Sequence, residues 1–523
     1  MDAKLMLLFG CLWSASVNAQ TLDPTFGMNG TVQHDIGGSE RLFGATIQTD
    51  GRIVGCGLRD SSGIGHVMVC RFLEDGSFDP TFGDGGYVML PTGTYSSDAS
   101  EVMVQSDGRI VVAGKTTDAG VPQFMVRRLL ANGSVDVDFG TDGVWTHPVG
   151  AVGGYVTDVA MDAEGRILLA GMVVPTNYLG AFAVARLDAN GDLDTGFGNG
   201  GFFIRDESDQ ARPHMVTDME LLADGRIVVA GNTTDLSVGP DWNSDALCLR
   251  LTVNGQLDEN FGNDGQVLVD LNGLQDGSER IRLLPGGELE LFGTSGDNST
   301  VNMVNRLRLT ADGDVISTEL IPVNSWSPAA QTKQIAGIEP GPGDVMAYIG
   351  SVPNGGTGDG FLGLLEPLPL GGAPYEAGYS TTVDAGDWTS YGGGAFDAAG
   401  RLVVVGLTTN ADWIGQFPDQ CGAFTDIHMA RFRMPLMTGV SSAAAPLMTV
   451  WPVPADERLN VGCESCRLDE LRLMDAAGRV VWSERRGAVD KTVIELGGVP
   501  TGVYYLMVES GSSSTVQRVV VQR

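Results

Sequence analysis

Ser106-Asp107-Gly108-Arg109-Ile110-Val111-Val112-Ala113-Gly114 is one copy of a phrase that recurs along the chain. Asp50-Gly51-Arg52-Ile53-Val54, Glu164-Gly165-Arg166-Ile167-Leu168, Asp224-Gly225-Arg226-Ile227-Val228 and Ala399-Gly400-Arg401-Leu402-Val403 read the same way. Weaker copies stand at Gly286-Gly287-Glu288-Leu289 and Gly343-Asp344-Val345. The turn glycines Gly51, Gly108, Gly165, Gly225, Gly287, Gly343 and Gly400 are 57, 57, 60, 62, 56 and 57 residues apart. Spacing this regular specifies a repeat architecture. Asp-Gly between apolar runs is hairpin chemistry, because a tight turn that matches strand twist needs a positive φ, which glycine tolerates. Val102–Val104 lead into the turn and Ile110–Val112 lead out, a continuous apolar run. That predicts strands buried on both faces, in sheets packed between other sheets.

A second signal follows each hairpin. Phe124–Leu129 is a third strand, Asn132-Gly133 a second turn, and Val135-Asp136-Val137-Asp138-Phe139-Gly140 precedes a short fourth strand at Val144-Trp145. Arg71-Phe72, Asp75-Gly76 and Phe78-Asp79-Pro80-Thr81-Phe82-Gly83 repeat this order. So do Arg186-Leu187, Asn190-Gly191 and Leu193–Gly198, and Arg250-Leu251, Asn254-Gly255 and Leu257–Gly262. Each unit therefore holds four short strands, and long helical periodicity is absent, so the chain reads as all-β.

The order of the pieces closes a ring. Leu22-Asp23-Pro24-Thr25-Phe26-Gly27 is the end of a repeat, placed before any repeat has begun. The last repeat stops at Arg431-Phe432 without that end. The N-terminal strand is expected to complete the last unit, pairing Leu22–Asp35 with Ile427–Phe432 in a seven-bladed β-propeller, which leaves no open sheet edge. Innermost strands are expected near Ala45–Gln48, Glu101–Gln105, Thr157–Met161, Asp218–Leu222, Arg280–Leu284, Gln334–Glu339 and Gly394–Phe396. Units five and six have lost the consensus; without them the count falls to six or five. A stacked solenoid is the alternative, and it leaves the split repeat unexplained.

The 523 residues carry a formal net charge of −33. Such a surface repels nucleic acid and anionic membranes. Residues 1–19 read as a signal peptide, with Lys4, an apolar Leu5–Trp13 and Val17-Asn18-Ala19 before cleavage; a lipoprotein box at Leu8–Cys11 is the rival reading. No later run is long and apolar enough to span a bilayer as a helix. Cys56 and Cys70 end neighbouring strands and are a candidate disulfide. Cys463 and Cys466 form a lone CxxC without further zinc ligands nearby, and Cys248 and Cys421 have no evident partners.

The Asp-Gly-Arg-Ile-Val-Val-Ala-Gly and Leu-Asp-x-x-Phe-Gly-x-x-Gly pieces over about 22–433 resemble the delta-60 repeats of bacterial surface and secreted proteins. After Ser441–Pro446, the run Val450-Trp451-Pro452-Val453-Pro454, then Leu471–Val481, Ile494–Leu496, Val499–Leu506 and Val519–Val521, resembles the type A C-terminal sorting domain of the type IX secretion system of Bacteroidota. Val453 departs from that family, which usually has Asn there. The resemblance implies an Ig-like β-sandwich, export through the outer membrane by the type IX machinery, and release or surface anchoring. The expected division is a signal peptide at 1–19, a propeller at 20–437, a linker at 438–446 and a sorting domain at 447–523.

No catalytic signature emerges. His34, His66, His147, His214 and His428 lie in no zinc pair and beside no nucleophile motif; His66 and His428 fall on third strands, where a lone polar residue is expected to face solvent. The candidate metal loop is Asp188, Asn190, Asp192 and Asp194, whose alternating oxygens around Gly191 suit calcium, against a reading as turn chemistry. Arg52, Arg109, Arg166, Arg226 and Arg401 recur just past the turns, either as an anion-binding rim or as structural partners of Asp in an adjacent blade. No cofactor is expected beyond that calcium. The functional expectation is a secreted or surface binding or adhesion module. A secreted carbohydrate-active or other hydrolytic enzyme on the propeller, marked by carboxylates of raised pKa at one mouth, and a surface-layer component are the alternatives.

Overall fold

The second strands fold as the apolar runs require: Ile110–Ala113 and Ile167–Ala170 are fully buried between neighbouring sheets. A computed structural model describes residues 21–521 apart from several internal stretches, the longest being 410–424 and 434–447. The signal peptide, the linker, Cys421, the turn at Gly343-Asp344 and the side chains of Cys463 and Cys466 fall outside the described residues.

Seven antiparallel sheets follow one another. Blade 1 comprises Ser39–Ile47, Ile53–Ser61, Ile64–Phe72 and Tyr87–Leu90, and blades 2 to 4 repeat that order. Units five and six are full blades. In blade 5 the first strand is broken into Gln275–Asp276 and Arg280–Leu283, both paired to Leu289–Asp297. Blade 6 runs Gln334–Pro340, Met346–Asn354, Thr357–Pro367 and Tyr375–Val383. Blade 7 supplies Thr389–Phe396, Leu402–Thr409 and Thr425–Arg433, and the N-terminal segment completes it. Thr31, Val32, Gln33 and His34 pair with Ala430, Met429, His428 and Ile427, while Thr21 and Leu22 pair with Arg433 and Phe432. The ring closes where the split repeat predicts.

The repeat consensus is the device that joins blade to blade. In blade 2, Arg128 Nε donates to Asp136 at 2.7 Å, its guanidinium lies 4.5 Å from the Phe139 ring centroid, and its Nη1 donates to the Ala189 carbonyl of blade 3 at 2.6 Å. Gly140 N–H donates to Asn190 O of the same turn at 2.7 Å. Arg71, Arg186 and Arg250 repeat the arrangement with Asp79, Asp194 and Asp258 and with Phe82, Phe197 and Phe261. The turn glycine is required here: Gly191 has φ +87°, and a Cβ on it would sit 2.7 Å from the Phe139 ring. At the seam the same contacts form across the chain ends. Arg431 binds Asp23 at 2.9 Å, lies over Phe26 at 4.8 Å and donates to Glu74 O of blade 1. Burial opposes the charge on Asp23, yet hydrogen bonds from Thr25 and the Arg431 and Arg433 guanidiniums hold it at about 2.

Two local expectations are corrected. Cys56 and Cys70 are free thiols. Cys56 stands opposite Val69 and Cys70 opposite Gly55, so the two side chains point to opposite faces of the sheet. The innermost strands of blades 1 to 4 and 7 also start earlier than expected and continue through a register irregularity, for example between Ala99 and Glu101 and between Val216 and Asp218, whereas that of blade 6 starts at Gln334 as expected.

The second unit contains residues 436–523. Met448–Trp451, Arg458–Cys463 and Lys491–Glu495 form one sheet, and Leu468–Asp475, Val480–Val489, Gly502–Ser510 and Ser513–Val521 another. Leu459, Val461 and Ile494 of the first share a core with Leu471, Leu473 and Leu506 of the second. This is a two-sheet β-sandwich.

Stripping Asp23 of its buried partner in Arg431→Met is expected to cost about 3–5 kcal/mol, read by calorimetry. Deleting residues 20–38 should leave a ring that aggregates or melts without one cooperative transition, whereas deleting 440–523 should leave the main transition in place. A 20–38 deletion that melts like the parent contradicts the closure argument.

Candidate functional site

The seven first strands meet at the axis, and one position on them is equivalent by register. It is the third residue before the turn-proximal pair, occupied in order by Gly44, Glu101, Asp158, Asp218, Arg280, Gly337 and Gly393. Blades 2 to 4 present carboxylates, blade 5 a guanidinium, and blades 6, 7 and 1 bare backbone. The glycines at the seam have a steric cause: a Cβ on Gly44 would lie 2.6 Å from Ser100 O, and one on Gly393 would lie 2.4 Å from Phe43 O. The axis is therefore charged on one side and tight on the other. A cavity of about 620 Å³ opens along it, lined from all seven blades, with Glu101, Glu279, Arg280 and Glu339 as its charged groups and Tyr155, Phe43 and Phe396 as aromatic ones.

The acids divide by what holds them. Asp158 accepts N–H bonds from Val159 and from Met219 of blade 4, each at 2.7 Å, and Asp218 accepts one from Ile281 of blade 5. These two clamp neighbouring blades. Arg280 ties the group together, donating to Asp218 at 3.1 Å, to Glu339 at 3.2 Å and to the Ile338 carbonyl at 2.7 Å. Burial, and then the neighbouring carboxylates, push Glu101 well above the usual range; burial likewise raises Asp158, Asp218 and Glu339. Burial also carries Glu279 and Glu220 to about 7. Glu279 accepts a bond from Thr294 Oγ1 at 2.7 Å, while its Oε2 is buried with no hydrogen-bond partner. Carboxyls in this state accept or donate hydrogen bonds near neutral pH.

The residues singled out from sequence lie elsewhere. Asp188 Oδ1 accepts the N–H groups of Asn190 and Asp192 at 2.8 and 2.9 Å, the Asn190 carbonyl serves blade 2, and Asp194 is bound by Arg186. Thr252 makes the same contact with the Gln256 N–H in its loop, and in blade 2 Asn132, the counterpart of Asn190, accepts the Ser134 N–H. The recurrent arginines form no free rim: Arg52 meets Asp79 at 3.0 Å, Arg109 meets Asp136 at 3.0 Å, Arg226 meets Asp258 at 3.3 Å, Arg166 meets Asp162 at 2.6 Å and Arg401 meets Asp397 at 2.6 Å. Their aspartate partners belong to the same blade: for Arg52, Arg109 and Arg226 because Leu-Asp-x-x-Phe-Gly folds back beside its own hairpin, and for Arg166 and Arg401 because the aspartate lies in the hairpin turn itself; Arg401 also reaches Glu74 of the next blade at 2.8 Å. His428 is also corrected. It is 1% exposed, stacks with Tyr391 at 5.7 Å, and burial lowers its pKa to about 4.

The family model described as a domain of unknown function (DUF5122) beta-propeller matches residues 48–82, 105–139, 163–197 and 222–261, and a secretion system C-terminal sorting domain matches 449–522. This is a propeller protein with a type IX sorting tail. The tail directs export to the cell surface or release, and no described helix is long and apolar enough to cross a membrane. No curated protein matches the chain. Among solved structures, the propeller domain of the trilobed protease from Pyrococcus furiosus is 9% identical, covering 75% of this chain and 96% of that one at a TM-score of 0.36. A PL25 ulvan lyase is 8% identical, covering 76% and 95% at 0.42, and Drosophila Semaphorin 2a is 9% identical, covering 94% and 97% at 0.42.

The axial acids give the exported ring a pH signature. Their folded pKa values lie above those of the unfolded chain, so the stability they contribute is present below about pH 4 and is lost as pH rises through the folded values, which are about 7 for Asp158 and Glu279. Arg280→Met removes the cation that offsets them. It should cost about 3–5 kcal/mol at pH 8 and less at pH 5, toward which the acids that burial raises take up protons. Tm profiles of the two proteins that stay parallel across this window would contradict the arrangement.

Proposed function

We propose that the protein is an exported binding module whose axial cavity takes the end of a neutral or amine-bearing glycan. The observation that carries the reading is the axial cavity, lined by three carboxyls and one guanidinium together with aromatic rings and glycine backbone. Carboxyls accept bonds from sugar hydroxyls or an ammonium, and aromatic faces pack against sugar C–H groups. The net charge of −33 disfavours uronic or sulfated chains. In this reading residues 1–19 are the signal peptide, 20–437 the binding ring, 438–446 the linker and 447–523 an Ig-like sorting domain handled by the type IX machinery.

Titration calorimetry with neutral, amino and uronic oligosaccharides tests it. The first two classes should bind and the third should not, and Glu101→Gln should weaken binding about tenfold or more. Binding untouched by that substitution, or a preference for uronic chains, contradicts the reading. A second reading is hydrolysis, favoured by the raised pKa of Glu101 and Glu279 in one cavity, as a general acid at neutral pH requires. It predicts release of reducing ends from polysaccharide, lost in Glu101→Gln and in Glu279→Gln; intact polysaccharide after prolonged incubation removes it.

A further inference from the structure

The Arg431–Asp23 contact fastens one end of the closing seam. Asp426 lies five residues earlier on the same strand, about 17 Å away along an extended backbone. There Asp35, just past the N-terminal strand, Glu40 of blade 1 and Asp426 of blade 7 converge. One carboxylate oxygen from each lies within 4.8 Å of the other two. Glu40 is fully buried, and neither of its oxygens receives a hydrogen bond. Its charged neighbour is Arg59, with Nε 3.3 Å from Oε1. Three carboxyl groups thus share one guanidinium, with Asp35 exposed at the mouth and Glu40 and Asp426 buried behind it.

The two flanking carboxylates are oriented and still have an oxygen to offer. Asp35 Oδ1 accepts the Gly37 N–H at 2.7 Å, and Asp426 Oδ2 accepts Gln33 Nε2 at 2.6 Å. Outer contacts of this kind fix ligating carboxylates. Calcium binds carboxylate oxygens at about 2.3–2.6 Å, so donors on one ion lie no more than about 5 Å apart, as these do. Magnesium demands a tighter octahedron and keeps its waters. The repeat offers an internal contrast. Asp245, Asp270 and Asp276 occupy the equivalent positions between blades 4 and 5, but there Asp276 Oδ2 takes the Leu271 N–H at 2.6 Å and Asp270 Oδ1 takes that of Gly273. Only the seam trio converges among the described residues.

We propose that Asp35, Glu40 and Asp426 form a calcium site that clasps the N-terminal strand, the last blade and the first. The site is separate from the axial cavity, so it stands or falls independently of the glycan reading. The mature chain, stripped with chelator, is titrated with calcium chloride by calorimetry and melted with and without about 10 mM calcium. One ion per chain with a Kd of about 0.1–1 mM is expected, the range of extracellular modules, with Tm raised by about 2 °C or more. Glu40→Gln and Asp426→Asn should each weaken binding at least tenfold and lose the Tm shift. In chelator both should melt at or above the parent, because each relieves repulsion, which separates a lost ion from a damaged fold. Asp245→Asn should bind like the parent, and magnesium should bind at least tenfold more weakly. Absence of heat and of a Tm shift in the parent overturns the proposal. Binding that survives Glu40→Gln and Asp426→Asn, or is lost in Asp245→Asn, or is equal for magnesium, overturns it as well.

Discussion

In blades 1 to 4 and blade 7 one guanidinium does three things at once, and the joining of those blades to their neighbours depends on it. The third-strand arginine has donors on two edges and a flat face. One edge meets the aspartate of its own Leu-Asp-x-x-Phe-Gly, the face covers the phenylalanine, and the other edge reaches a carbonyl of the next blade. Lysine has neither the face nor the fork. Because part of each set lies in the next unit, none of these five blades satisfies that arginine alone. Cooperativity between blades follows from that, in contrast to a solenoid whose repeats contribute nearly independently. Arg250, 1% exposed, is among the largest fully buried side chains of the protein, and it is tolerable there only because Asp258, Phe261 and Ala311 O surround it.

Where the consensus lapses, charge is rerouted. Blade 5 has no Phe-Gly after its third strand. Its Arg306 instead pairs with Glu290 and with Glu319 at 3.1 Å, and Arg282 takes Glu290 while lying 5.1 Å from the Phe292 ring centroid. The same blade supplies Arg280 to the axis. The irregular blade is thus the one that carries the axial cation, with the acids of blades 2, 3, 4 and 6 arranged about it. A carboxylate buried beside others is costly unless it is paired or protonated. Backbone N–H groups answer for Asp158 and Asp218, and Arg280 answers for Glu339; Glu101 and Glu279 keep exposure to the cavity, where a ligand can answer for them.

The strand order, the blade count and the closure were legible because they rest on local chemistry: Asp-Gly turns, apolar runs and a repeat cut in two. The disulfide failed on parity, since Cys56 and Cys70 lie on neighbouring strands but occupy opposite faces, and proximity in sequence does not report face. The axial site was missed because its members are not consensus residues. Glu101, Asp158, Asp218 and Arg280 differ in type and look like stray charges in apolar runs. Yet each stands seven residues before its turn glycine, Gly108, Gly165, Gly225 and Gly287. Aligning units on that glycine would have collected them. The seam trio had no such signal, because Asp35 and Asp426 are far apart in the chain and meet only through closure.

That separation bears on why the seam carries more than the other junctions. Six junctions join consecutive blades, whose linker keeps the partners close and makes pairing cheap in entropy. The seventh must bring Thr31–His34 to a strand about 400 residues away, and loop-closure entropy grows, if slowly, with that length. The ring meets this cost with the common arginine contact at one end of the strand, extended by Arg433 on the same Asp23 at 2.8 Å and by Arg401 with Glu74 at 2.8 Å. At the other end Ser39 and Thr425 share a hydrogen bond at 2.8 Å, and Thr425 donates to the Glu40 carbonyl at 2.9 Å. Blades 1 and 7 are thereby fastened at both ends of one strand, and a charge imbalance persists only at the end where Glu40 is buried. A seam held by ionic and hydrogen-bonded contacts, and not by a larger core alone, can form after the blades have folded, because it asks only that two finished surfaces meet.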